Sequence, residues 1–400
     1  MQALPILLLS LLLSSQTVSK NRPSLDCDWL KLAAPQTECT LAGGWQLAAL
    51  GQQTGDPGFY RFALAIATQF RRDPRQQTEA VLLQGFALQQ LHRFDEAYRV
   101  VQPLLKTAPI AAVHQLLGDI RLEQGLVVKA AEHYQQQINL KPSPSAYARG
   151  AQVRYLSGDV EGALELLELA LEGASRSSDT SELAFTLRLG GRFLLTQGEI
   201  TAATDMLRDS VRLAPNPGTR LLLARAQVAG DQSIAACTTL AGLIQDHPAP
   251  DAVAWFSELP ACAEEQGLNQ VRSSNGGRLD ARGYARNLLL DARDTATAAQ
   301  LLRGELLQRR DPVTLALAAW ADLELGYAAA AELKIREALV SRYPEPLPYL
   351  VAAMVAAQRE DAPASERHLA RLSQQFFLLS PREREIYARL KDSALQPQNL

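Results

Sequence analysis

The side chains able to act as acids, bases, nucleophiles or metal ligands are scattered along this chain and form no constellation. The five histidines are His92, His114, His133, His247 and His368. None lies in HExxH, and no GxSxG, P-loop or strand-associated GxGxxG occurs. His133 follows Glu132, but no second ligand stands four residues on. Glu161 and Glu165 share a helix face, which a solvated face produces routinely. Cys27, Cys39, Cys237 and Cys262 include no CxxC and no spacing suited to zinc. The expectation is a protein that catalyses nothing and carries no cofactor and no metal. Arginine is the residue type whose placement suggests binding. Arg188 and Arg192 are four apart, on one helix face, and Arg225 follows Arg192 by 33 residues. Guanidinium groups gathered in one groove suit a carboxylate, an acidic peptide or an anionic glycan. The alternative is that they pair with local acids such as Glu182 or Asp205.

The elements that would position these arginines recur at a fixed interval. Gly85, Ala97 and Pro109 are spaced by twelve, and Gly118, Ala130 and Pro142 repeat the pattern 33 residues later. Further units carry Ala151, Gly158 and Ala163, then Gly191, Gly198, Ala203 and Pro215, then Ala224, Ala236 and Pro248, with an insertion near 173–180. Two helices approach closely only where side chains are small, so Gly or Ala recurs in mid-helix. Gly125, Gly158 and Gly198 fall at hairpin corners, where a left-handed backbone is cheap for glycine. Proline ends each second helix; Pro103 should kink one from within.

These units resemble the tetratricopeptide repeat family, through Gly85/Ala97/Pro109, Gly118/Gly125/Ala130/Tyr134/Pro142, Gly158/Ala163/Ala170 and Gly191/Gly198/Ala203/Pro215. The family's period is about 34. Its early tryptophan is absent here, replaced by Val81, Val113 or Leu187. The resemblance implies an all-α fold, a right-handed superhelical α-solenoid of helical hairpins. It also implies that the first helix of each hairpin lines a concave groove. The positions so implied are Phe86, Gln89, Gln115, Asp119, Gln152, Tyr155, Arg188, Arg192 and Arg225. The asparagines of the family's chaperone-tail clamp are replaced by Leu83 and Phe86, so chaperone tails are not expected ligands.

Composition agrees with a folded helical chain: 47% hydrophobic, 21% charged and only 6% aromatic over 400 residues. A net charge of −3 gives no basic footprint for nucleic acid. The apolar run 4–13, followed by Thr17 and Ser19, reads as a secretory signal peptide cut after Ser19; it is too short to span a membrane. The expected organisation is a signal peptide over 1–19, a capping region with a degenerate hairpin over 20–77, and regular repeats over 78–249. An irregular hairpin or loop over 250–280, rich in turn residues at 273–277, and degenerate helical repeats over 281–396 complete it. Ser380, Pro381 and Glu383 read as a capping box opening a helix. In an exported protein Cys27 and Cys39 are expected to pair; Cys237 and Cys262 are left open between a disulfide and two buried thiols. The expected function is a non-catalytic interaction scaffold of the bacterial periplasm or cell envelope. Its partner would be a protein or an acidic peptide, with membrane contact only through assembly partners. The alternative is a solenoid that binds a polyanionic glycan in envelope polysaccharide assembly.

Overall fold

A computed structural model describes residues 37–246, 249–262, 280–291, 294–340 and 345–395. The leader, Cys27 and the loop at 273–277 lie outside them, so the expected cleavage and the Cys27–Cys39 pairing do too. Among the described residues every regular element is a helix. Consecutive helices fold into antiparallel hairpins: Leu41–Thr54 with Pro57–Phe70, Gln77–Gln90 with Phe94–Val101, Ala111–Glu123 with Val127–Leu140, Pro144–Leu156 with Val160–Ser175, Thr180–Gln197 with Ile200–Leu213, and Pro217–Ala229 with Ser233–Asp246. The C-terminal part repeats the motif with Ala281–Leu290 and Thr295–Gln308, Pro312–Glu324 and Ala328–Val340, and Pro346–Gln358 and Ala362–Ser373; Pro381–Leu395 closes it.

The hairpin corners obey one backbone rule. Gly125, Gly158, Gly198 and Gly326 have φ between 82° and 87°. His92, Asp231 and Glu360 occupy the equivalent corner with φ of 57°, 57° and 61°. The corner geometry is therefore imposed by the packing of the two helices, and glycine merely makes it inexpensive. Close approach explains Gly118: a Cβ there would collide with the Tyr134 ring of the facing helix. Helix starts are equally explicit. Ser143, Asp179, Asn216 and Asp311 each accept a hydrogen bond from a backbone N–H of the first turn, and proline takes an early position in Pro144–Leu156, Pro217–Ala229 and Pro312–Glu324.

Pro103 does more than kink its helix. Phe94–Val101 ends before it and Leu104–Thr107 resumes after it, because proline has no N–H to continue the ladder. The insertion near 173–180 is absorbed by lengthening: Val160–Ser175 has 16 residues and Thr180–Gln197 has 18, against 13 or 14 in most neighbours. A disulfide joins Cys237, on Ser233–Asp246, to Cys262, on the 3-10 turn Pro260–Cys262. Both sulfurs sit in the apolar cluster of Trp255, Phe256 and Leu259.

The array winds far enough to meet itself. Asn216 donates to the carbonyl of Gln52 at 2.9 Å, bringing the first hairpin against the sixth. The backbone N–H of Arg310 donates to the carbonyl of Gln124 at 3.1 Å. Leu378, with Phe377 beside it, packs among Leu195, Leu207 and Leu223. The C-terminal helices thus cover part of the concave face of the N-terminal repeats.

Candidate functional site

The inner face of the array is built from first helices, and the nine groove positions fall into distinct environments there. Phe86 packs against Trp45 and Tyr60, with ring centroids 5.6 and 6.4 Å away. Gln89 is buried. Gln115 accepts a 3.2 Å hydrogen bond from Gln137. Asp119 accepts 2.8 Å from the Tyr134 hydroxyl and receives a fork from Arg149 at 2.8 and 3.0 Å, stitching one hairpin to the next. Tyr155 is buried, stacked on Phe193 at 4.1 Å between centroids, with its hydroxyl against Thr196. These five positions hold the solenoid together. Gln152, Arg188, Arg192 and Arg225 do something else: all four line one cavity.

That cavity has a volume of about 380 Å³ and is shared between the two parts of the array. The N-terminal repeats contribute Arg188, Arg192 and Arg225. The later helices contribute Arg282, Arg286 and Glu345, and Trp255 stands between them. Five guanidinium groups therefore face one space. Arg282 and Arg286 are four residues apart on Ala281–Leu290, the same spacing as Arg188 and Arg192 on Thr180–Gln197. That repeated spacing was present in the sequence and would have identified the second pair. Glu345 carried no local signal, because its partners lie 153 positions or fewer upstream, in a different hairpin.

The charges are unevenly matched. Arg282 approaches Asp311 at 3.4 Å, and Arg286 pairs with Glu383 at 3.0 Å and stands 3.8 Å from Asp251. Burial opposes both cations, but the carboxylates of Asp311 and Glu383 outweigh it and hold both guanidiniums above their usual range. Glu383 does double duty: its other oxygen accepts 2.9 Å from the Ser380 N–H, while the Ser380 hydroxyl accepts 3.4 Å from the Glu383 N–H. This is the capping box anticipated from the sequence.

On the other side, Arg192 and Arg225 share one acid. Glu345 lies 2.9 Å from Arg192 and 3.8 Å from Arg225, and Arg225 also donates to the Leu378 carbonyl at 3.4 Å. The Nε of Arg225 is buried without an acceptor. Arg188 makes no ion pair and no hydrogen bond among the described residues; its guanidinium lies 5.2 Å from the Phe185 ring. Burial, then the neighbouring cations Arg192 and Arg149, push its pKa down to about 10, against weaker attraction from Glu123 and Asp119. Neither local acid expected for these arginines is used on them: Glu182 caps the Ser145 N–H at 2.8 Å, and Asp205 pairs with Arg208 at 2.6 Å.

No protein-family model matches the chain, and no curated protein matches it. Among solved structures, it is similar to the human IFIT1 dimer with PPP-AAAA, at 12% identity over 75% of this chain and 82% of that one, with a TM-score of 0.45. It is similar to the C-terminal part of a TPR repeat-containing protein from Cytophaga hutchinsonii, at 14% identity over 65% and 95%, with a TM-score of 0.33. A tetratricopeptide repeat protein from Parabacteroides merdae follows at 11% identity over 74% and 99%, with a TM-score of 0.30. With TM-scores below 0.5 these likenesses carry no argument about activity or partner. On the evidence of its own helices, corners and stacking, the chain is an all-α solenoid of tetratricopeptide-like hairpins.

Proposed function

We propose that this chain is a non-catalytic binding scaffold, exported to the periplasm or cell envelope, that receives an acidic segment of a partner protein at its inner face. The observation that carries this reading is the convergence of Arg188, Arg192, Arg225, Arg282 and Arg286 on one cavity. Guanidinium groups are the preferred partners of carboxylates wherever planar, paired hydrogen bonds matter. The described cavity wall includes no serine, cysteine, histidine or lysine; its acids, Glu123, Asp251, Asp311, Glu345 and Glu383, stand among the guanidiniums. Export is supported by the apolar leader and by the Cys237–Cys262 bond, since disulfides persist in oxidising compartments. Among the described residues no helix is long and apolar enough to cross a membrane, which fits attachment through a partner.

The test is affinity capture from an envelope extract with tagged wild type and with R188E/R192E/R225E. Helicity and melting of the variant are checked first, because Arg192 and Arg225 also hold Glu345. The reading predicts a partner recovered by the wild type and lost, at least tenfold, by a folded variant. Equal recovery by both would remove the cavity from the binding surface. Fractionation of cells carrying a C-terminally tagged chain checks the compartment; recovery in the cytosol alone would refute export.

A further inference from the structure

Three cations of the N-terminal repeats, Arg188, Arg192 and Arg225, meet a single bonded carboxylate, Glu345. Glu345 is itself largely shielded, with 15% of its side chain exposed, and it belongs to the chain's other half. It therefore occupies Arg192 and Arg225 as an external ligand's carboxylate would. What it leaves over is specific: a guanidinium without an acid at Arg188, and a buried Nε without an acceptor at Arg225. A buried donor without a partner is destabilising unless something fills the place. Arg188 and Arg225 both line the same cavity, whose volume of about 380 Å³ suits one compact group.

We propose that this cavity is a binding site for one further carboxylate, received by Arg188 beside the internal Arg192–Glu345–Arg225 bridge. The site rests on the scaffold reading and narrows it, since only an acidic side chain, an acidic chain end or a small organic acid fits. Glu345 acts as an internal competitor. Its single negative charge is shared by two of the three guanidiniums and limits the affinity of the place at Arg188. Trp255, 5.8 Å from the Arg225 guanidinium, supplies an apolar wall against which a short aliphatic stem can lie. The carboxylates facing Arg188 from elsewhere are few. Glu123 is exposed and unbonded to it, Asp119 is committed to Arg149 and Tyr134, and Asp251 stands toward Arg286.

The experiment titrates the mature chain with citrate and, separately, with an acetylated hexaglutamate peptide, at constant ionic strength, by calorimetry. Wild type, Arg188→Gln and Glu345→Gln are compared after their helicity is shown to match. The expected result is saturable binding of at least one probe, weakened tenfold or more by R188Q and strengthened by E345Q. Citrate alone binding identifies a free organic acid as the source. Peptide alone binding identifies a partner's acidic segment. Absence of saturable binding by either probe overturns the proposal, as does binding that R188Q leaves unchanged. Failure here is separable from failure of the scaffold: partner capture by R188Q at wild-type yield would keep the scaffold and discard this site.

Discussion

At the residue scale, the corners of the hairpins show a position deciding the conformation and the side chain deciding only its cost. Glu360 holds φ at 61° on an exposed corner, where Gly326 in the preceding hairpin holds 83°. Glu360→Gly should therefore stabilise the protein by about 1 kcal/mol, the strain released less the added chain entropy; unchanged denaturant midpoints would refute it. Gly118→Ala should act oppositely. Its new methyl meets the Tyr134 ring, whose hydroxyl is already committed to Asp119, and a loss of about 1–3 kcal/mol is expected. The pair His114 and His133, with Nδ1 atoms 3.2 Å apart, adds a dependence on pH. Burial first, then the neighbouring His114, pushes the pKa of His133 down to about 4, and burial lowers His114 as well. The unfolded chain thus binds protons that the fold excludes. The stability these groups contribute is complete above about pH 6.5 and is lost as pH falls from there toward 4. Denaturant melts at pH 7.5 and 5 should show a drop that His133→Gln reduces; an equal drop in that variant would contradict it.

At the scale of elements, most of the architecture was legible in the sequence. Gly118, Gly125, Gly158 and Gly198 mark close contacts and corners, and the capping box at Ser380–Glu383 opens its helix as expected. These signals are local, since each depends on residues within one hairpin. The fate of Cys237 and Cys262 was not legible, because two buried thiols and a disulfide demand the same apolar surroundings. The bond closes a loop with a sequence separation of 25 residues and ties the irregular segment to a regular hairpin. Replacing both cysteines with serine should lower stability by about 3 kcal/mol, the loop-closure entropy restored to the unfolded chain. An unchanged melting curve would show that the helices hold this segment unaided.

At the scale of the whole molecule, the sequence reached its limit. The shared face of Arg188 and Arg192 followed from helical spacing, and Arg225 followed from the repeat. What the arginines face did not follow, because Arg192 and Glu345 are separated by 153 residues and meet only where the array closes on itself. Two positions placed on an inner face by the repeat are buried packing residues instead: Gln89, and Tyr155, which stacks on Phe193 of the next hairpin. The closure also converted an open groove into a cavity with an excess of guanidinium on one wall. The closure is therefore the claim on which the binding site rests. A double-mutant cycle between Arg192→Ala and Glu345→Ala, read by denaturant unfolding, tests it most directly. The account predicts a coupling of about 1 kcal/mol, because the two half-buried side chains share a hydrogen-bonded ion pair across the closure. Strictly additive effects would mean that the two halves do not meet there in solution, and the cavity would not exist.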